Sequence, residues 1–359
     1  MKELKQVLSV VPSRAVNPLY TYVRAQVKPT GASLQVHGDN LSARIPLPGL
    51  VAVQEVDVLV PGKLLEGIVG SLQEPELTFG ERELTVREGR FFTTVRVASP
   101  EGFPEVEPPS GSVKGVQVDK EALRQALSVV AYATSTESYR GVFQGIQLEL
   151  HPEGKGRAVA SDGYRLAMAD FPLGAQGLEQ RLSGVLPKGA AKDALKLLSV
   201  LEGDQVVLFL ERGVLHITDV FGQAQVSLFL MEGSYPDYTR VIPRTVAAGF
   251  VVEAKVLREA IGRLLVVAPT ENFRGDFSLG PEGLHLRTEG DYGQAEEFVE
   301  VEARGELSFS FNLRYLLEAL EPIEDQVDIS LSGEEAPTLV RPVSPSGVAY
   351  SAVVVPLKV

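Results

Sequence analysis

"VDKEALRQALSVVAYATS", residues 118–135, returns twice in altered form, as "MKELKQVLSVV" from Met1 and as "VEAKVLREAIGRLLVVAP" from Val252. Apolar residues recur at three and four positions, at Leu123, Ala126, Leu127 and Val130 in one copy and at Val256, Ala260 and Leu264 in another. That spacing predicts an amphipathic helix at each opening. The second and third copies continue alike, as "YRGVFQGIQLEL" from Tyr139 and "FRGDFSLGPEGLHLR" from Phe273, so the similarity extends past the helix.

A second kind of helix stands midway between these openings: "VLVPGKLLEGIVGSL" from Val58, "GVLPKGAAKDALKLLSV" from Gly184 and "SFSFNLRYLLEALEPI" from Ser308, the last with Leu313, Leu316, Leu317 and Leu320 on its apolar face. Each is followed by strand-like runs. Residues 206–210 and 214–218 alternate at period two around the turn Glu211-Arg212-Gly213. Two copies close on "EGFPEVEP" at Glu101 and "EGSYPDYTRVIP" at Glu232. The chain reads as three repeats, an α+β fold in which each domain sets two helices on two small antiparallel sheets. Boundaries fall at 1–115, 116–244 and 245–359, the first after the Pro/Ser/Gly-rich "EPPSGSVKG". Both linkers are short, which predicts domains in a fixed relation rather than on tethers.

The composition suits this reading. A chain of 359 residues divides into two or three domains of roughly 100 to 200 residues each. With 44% hydrophobic and 23% charged residues it has the balance of a globular protein. Cysteine is absent, and His37, His151, His216 and His285 form no metal-binding pair, so neither a disulfide framework nor a metal is expected. No run reaches the 18 apolar residues of a membrane span, and the amino terminus has no signal-peptide pattern; a cytoplasmic protein is expected.

Signatures of catalysis are missing, and no cofactor is expected. "PGKLLEG" contains Gly-Lys, but Asp57 stands where a P-loop needs glycine and Leu64 where it needs Ser or Thr. No GxSxG elbow is present. A hydrolase centred on Asp162 and His151 is the weakest of three readings. A monomeric acidic repeat scaffold for protein–protein contact is the second.

Net charge is −13, which taken whole argues against nucleic acid. Its distribution argues otherwise, because six helical windows together hold thirteen basic and nine acidic residues. Lys188, Lys192 and Lys196 form one stripe at i, i+4, i+8, and Lys120 with Arg124 and Lys255 with Arg258 form shorter ones. Trp is absent and other aromatics are scarce on these faces, so duplex backbone suits them better than single-stranded bases.

"SDGYRLA" at 161–167, "EGSYPDYTRVIP" at Glu232, "FNLRYLLEAL" at Phe311 and the terminal "VVVPLKV" at Val353 carry a resemblance. In order and spacing over the full length the chain resembles the beta sliding clamps of bacterial replicative DNA polymerases. The resemblance implies a non-enzymatic processivity factor: a head-to-tail homodimer of three-domain chains, closed around duplex DNA with helices lining the hole. It implies an ATP-dependent clamp loader, and partners, the polymerase among them, that dock through short linear motifs. It places the docking pocket at Phe143, Ser161, Gly163, Tyr164, Arg165, Leu166, Pro236, Arg240, Val241, Phe273, Asn312, Tyr315, Val354, Val355, Pro356 and Leu357, with Asp162 structural. Tyr164 stands where the family often has histidine, and Val355 and Leu357 where it often has methionine, which predicts a narrower pocket. For the intersubunit seam, Val267 and Ala268 are expected to meet residues 113–118 of the other copy.

Overall fold

Six α-helices alternate with antiparallel strands in a computed structural model of the chain, which describes residues 1–50, 52, 54–174, 178–345 and 347–358. The helices among these residues are α1 (Lys2–Ser9), α2 (Gly62–Gly70), α3 (Lys120–Val130), α4 (Lys188–Leu198), α5 (Ala254–Leu265) and α6 (Leu313–Leu320). By internal contacts the chain forms two units, one of Met1–Arg124, Leu150–Gly154 and Pro172–Glu232, the other of Gln125–Glu149, Lys155–Phe171 and Gly233–Val359.

In the first unit an eight-stranded sheet runs in the order Val56–Pro61, Tyr22–Lys28, Gly31–His37, Leu41–Leu47, Gln225–Phe229, Val214–Asp219, Gln205–Glu211, Val116–Asp119. A separate three-stranded sheet orders Glu76–Phe79, Glu83–Glu88 and Phe91–Arg96. Each of α1, α2 and α4 buries one face: Leu4, Val7 and Leu8; Leu65 and Val69; Ala191, Ala194, Leu197 and Leu198. Pro61 and Pro187 occupy the N-caps of α2 and α4, where a missing N–H breaks no helical bond.

The second unit repeats the plan. Its large sheet includes, in order, Gly145–His151, Lys155–Ser161, Arg165–Pro172, Ala349–Val354, Thr338–Pro342, Gln326–Leu331, Ala248–Glu253 and Glu302–Arg304. A four-stranded sheet orders Gly293–Val299, Gly283–Gly290, Arg274–Gly280 and Leu307–Asn312. Helices α5 and α6 pack on one another over Leu257, Ile261 and Leu264 and over Leu313, Leu316 and Leu320.

The sheets of neighbouring repeats join. Leu41 pairs with Leu228 and Ala43 with Val226, while Leu166 pairs with Val353 and Ala167 with Ala352, so the same strand of repeats one and two receives a strand from the repeat that follows. Edges that would otherwise be open are thereby closed. The boundary segment after the first repeat is also tied down. Glu211 accepts from the Ser110 hydroxyl, from the Ser110 N–H at 2.6 Å and from the Ser112 hydroxyl at 3.1 Å, and these bonds hold its carboxyl below the usual carboxylate range.

One helix face departs from the expectation. Val256 is 46% exposed, and Leu257 takes the core position, because an α-helical period admits either residue with Ala260 and Leu264 and only packing decides. Among the described residues no helix is long and apolar enough to cross a membrane.

Candidate functional site

The heptapeptide at 161–167 is a hairpin turn between two strands of the second unit. Asp162 Oδ1 accepts from the N–H groups of Tyr164 at 2.9 Å and Arg165 at 3.0 Å, and Gly163 takes φ +91°, which a side chain disfavours. Ser161 Oγ donates to the Arg165 carbonyl at 2.7 Å and accepts from the Gly163 N–H at 3.1 Å. With both oxygens accepting hydrogen bonds from residues of its own turn, the Asp162 carboxylate has a structural task.

This rigid turn projects Leu166, 2% exposed, into an apolar cluster with Val159, Met168 and Val353, against Tyr235, Tyr238, Ile242 and Leu339. Beside the cluster opens a cavity of about 140 Å³. Its lining brings together Phe143, Ser161, Gly163, Arg165, Leu166, Pro236, Val241 and Val355 from the expected set, with Tyr235, Asp237, Tyr238 and Val353 added. Phe143 meets Tyr235 edge-on at 5.7 Å. Tyr238 is fixed from behind: its hydroxyl donates to Glu149 at 3.1 Å, and Arg157, paired with Asp170 at 2.5 and 2.8 Å, reaches the same oxygen at 3.5 Å. The added tyrosines flank Pro236 in "EGSYPDYTRVIP". The 3₁₀ turn Tyr238–Val241, capped by Asp237, sends Tyr238 to the cavity while Arg240 stays exposed, paired with Asp237 at 3.0 Å.

Arg165, which lines the cavity, borders the remaining expected residues, and these lie off it. Arg165 places its guanidinium 4.4 Å from the Tyr315 ring centre and 5.3 Å from that of Tyr132. It also pairs with Asp162 at 3.1 Å and with Glu318, so its donors are engaged within the chain. Tyr164, 52% exposed, stacks on Tyr315 at 6.2 Å. Asn312 caps α6, accepting from the N–H groups of Arg314 and Tyr315. Phe273 adopts φ +49° with Arg314 3.6 Å over its ring. Val354 is fully buried away from the cavity. The tail is clipped down by the N–H of Val355 donating to Tyr164 O at 3.0 Å and that of Leu357 to Ser310 O at 2.8 Å, with Pro356 buried between them. Val359 lies outside the described residues.

The helical cations divide into two groups. Lys5, Lys120 and Arg258, on the first helix of each repeat, donate to carbonyls at or just past the end of the second helix: Leu72 at 2.9 Å, Leu201 at 2.7 Å and Leu320 at 2.8 Å. These neutralise helix C-termini and staple the helix pairs. Lys192 and Lys255 are exposed, Lys188 is half-buried, Arg124 pairs with Glu121 at 2.5 Å and Lys196 with Asp193 at 2.8 Å. Spacing located the faces; it could not show which head groups reach a neighbouring carbonyl.

Residues 117–237 match the family described as DNA polymerase III beta subunit, central domain, and residues 239–357 its C-terminal domain. A beta sliding clamp of Pseudomonas aeruginosa is 30% identical over 370 residues, covering 100% of this chain and 97% of the relative. The chain belongs to the beta sliding clamp family. The clamp of Synechococcus elongatus is 28% identical across 97% of this chain and 94% of its own. A crystal structure of the Pseudomonas aeruginosa clamp bound to griselimycin superposes with a TM-score of 0.88 at 27% identity, covering 100% of this chain and 96% of the other. The Thermotoga maritima beta subunit shares the fold with a TM-score of 0.88 at 23% identity, covering 99% of this chain and 97% of its own. The clamp is a non-catalytic sliding clamp of the replicative DNA polymerase, and the monomeric scaffold reading is set aside.

Proposed function

We propose that two copies of the clamp close head to tail into a ring around duplex DNA in the cytoplasm, opened by an ATP-dependent loader. The three repeats, 1–115, 116–244 and 245–359, act as its domains. The cavity beside Leu166 takes an apolar anchor from short linear motifs of the polymerase and the loader. The observation that carries the ring is a pair of open sheet edges in the first and third repeats. Strand Phe91–Arg96 ends the three-stranded sheet with Phe91 42% and Phe92 56% exposed. Strand Gly293–Val299 ends the four-stranded sheet with Phe298 44% exposed. Pairing one edge with the other across two copies buries the aromatics and leaves neither edge open.

That seam differs from the one expected from sequence in what it sets against the third repeat, strand Phe91–Arg96 instead of residues 113–118. Strand Val116–Asp119 is engaged on both sides, by Gln205–Glu211 and by Leu173 and Gly174, and Val116 and Val118 are each 1% exposed, so nothing there is left for a second copy.

A ring holds DNA topologically, so its lining needs only weak phosphate contact, and tight binding would impede sliding. Lys188, Lys192 and Lys196 on α4, with Lys255 on α5, supply that contact in this reading, and Arg124 adds to it. The ring reading is tested on DNA of two topologies: the clamp, once loaded, stays on nicked circles and is lost on linearisation, whereas equal retention on both forms removes it. A Lys188→Glu, Lys192→Glu, Lys196→Glu variant is expected to keep its melting temperature while loading several-fold more slowly, an effect that raised salt shrinks. Unfolding of that variant would refute the solvent-facing assignment.

A further inference from the structure

The docking cavity has paired arginines around it and an unpaired one beyond it. Arg140 is bound to Glu137 at 2.8 Å, Arg165 to Asp162 and Glu318, and Arg240 to Asp237 at 3.0 Å. Arg314, exposed in the first turn of α6, meets no carboxylate among the described residues; its guanidinium lies 3.6 Å over the Phe273 ring. Both members of that stack are fixed. Asn312 Oδ1 accepts from the Arg314 N–H at 3.0 Å, which sets the start of the helix. Phe273 holds φ +49°, a conformation rare for a bulky residue, because its N–H donates to the Pro269 carbonyl at 2.9 Å and its carbonyl accepts from the Leu313 N–H at 2.8 Å. Strained backbone of this kind collects at binding sites, where one side chain must be presented in one place. The ring takes one face of the guanidinium and orders it, and the N–H groups at its edge stay free for an anion.

The C-terminal tail links this stack to the cavity. Val355 forms a cavity wall, the Leu357 N–H donates to the Ser310 carbonyl at 2.8 Å, and the Lys358 carbonyl accepts at 3.5 Å from Arg274, the residue after Phe273. Tyr315, the residue after Arg314, is stacked on Tyr164 at 6.2 Å, and Gly163 and Arg165 on either side of Tyr164 line the cavity. Extended chain advances about 3.3–3.6 Å per residue, so from Val355 to Lys358 the tail covers on the order of 10 Å. A peptide lying alongside the tail with its anchor in the cavity reaches the stack within a few residues. We infer, on the docking reading, that Arg314 is a specificity-determining residue of the docking site: it pairs with an aspartate or glutamate of the bound motif, about three to five residues from the apolar anchor. The paired arginines nearer the cavity would each have to give up an acid of their own. Arg314 gives up none, and its stack on Phe273 lowers the cost of ordering it.

The test uses the full-length chain and capped synthetic peptides with a phenylalanine anchor in an alanine–serine background, each carrying a single aspartate or asparagine at successive positions before or after the anchor. Affinities are read by NMR titration, which follows weak binding. At one spacing the aspartate peptide is expected to bind about threefold to fivefold more tightly than its asparagine partner, and raised salt narrows the difference. Arg314→Gln is expected to abolish that ratio and Arg314→Glu to invert it, both at the wild-type melting temperature because the side chain is exposed. A ratio that survives Arg314→Gln, or anchor binding with no preference at any spacing, overturns the inference and leaves the docking reading standing. Binding of no peptide at all removes both. Unfolding of the two Arg314 variants would show a structural side chain and overturn the inference as well.

Discussion

Phe92→Glu is expected to halve the mass of the clamp in solution, from a dimer to one chain of 38.7 kDa, and to abolish its retention on nicked circular DNA. In the isolated chain Phe92 is already 56% exposed, with Arg87 5.5 Å from its ring centre, so an acid there costs the fold little. In the proposed ring it is buried against the edge strand Gly293–Val299, which itself carries Glu296 and Glu297. Burying an aromatic side chain contributes about 1.5–3 kcal/mol, and a carboxylate in its place must be desolvated beside like charge. A ring has two such seams, so the substitution acts twice. Dimer dissociation is expected to strengthen at least a hundredfold, measured by sedimentation at micromolar chain concentration. Phe221→Glu, at a residue 78% exposed after strand Val214–Asp219, is the control that leaves mass and retention unchanged. A Phe92→Glu chain that remained dimeric would remove this seam.

The repeat, the helix faces and the turn at 161–167 were legible in the sequence because each is local. Leu123, Ala126, Leu127 and Val130 are all fully buried, as their spacing requires. The joining of sheets was not legible, since Leu41 meets Leu228 and Leu166 meets Val353 across nearly two hundred residues, with no local signal to mark the pairing. The cavity was legible in part. Phe143, Leu166, Pro236 and Val241 came from motifs, whereas Tyr238 enters only because Glu149 and Arg157 hold its hydroxyl from strands distant in the chain. Arg165 lines the cavity as its motif suggested, but its local sequence gave no sign of its other partners. Its guanidinium is engaged with Asp162, Glu318 and two tyrosine rings, and Glu318 and Tyr315 come from a helix about 150 residues away in the chain.

Removal of residues 355–359 is expected to weaken binding of a motif peptide at least a hundredfold, about 2.7 kcal/mol, while dimer mass and DNA retention stay at wild-type values. The cavity volume, about 140 Å³, is close to the roughly 150 Å³ apolar cavity that accommodates a benzene molecule, so it receives one anchor side chain and little more. A site that takes a single anchor concentrates its binding energy there. Val355 forms one wall of it and is 37% exposed, and the tail beyond holds the wall in place through Pro356 and the Leu357 N–H. The strand Ala349–Val354 keeps its pairing with Arg165–Pro172 on one side and Thr338–Pro342 on the other in the truncated chain, so the sheet survives the loss. Val241→Asp, at a wall residue 45% exposed, should give the same loss of peptide with the tail intact, by placing a charge where an apolar side chain must seat. Full peptide affinity in both variants would place the docking site elsewhere on the clamp, and loss in the truncation alone would make the tail, rather than the cavity, the contact.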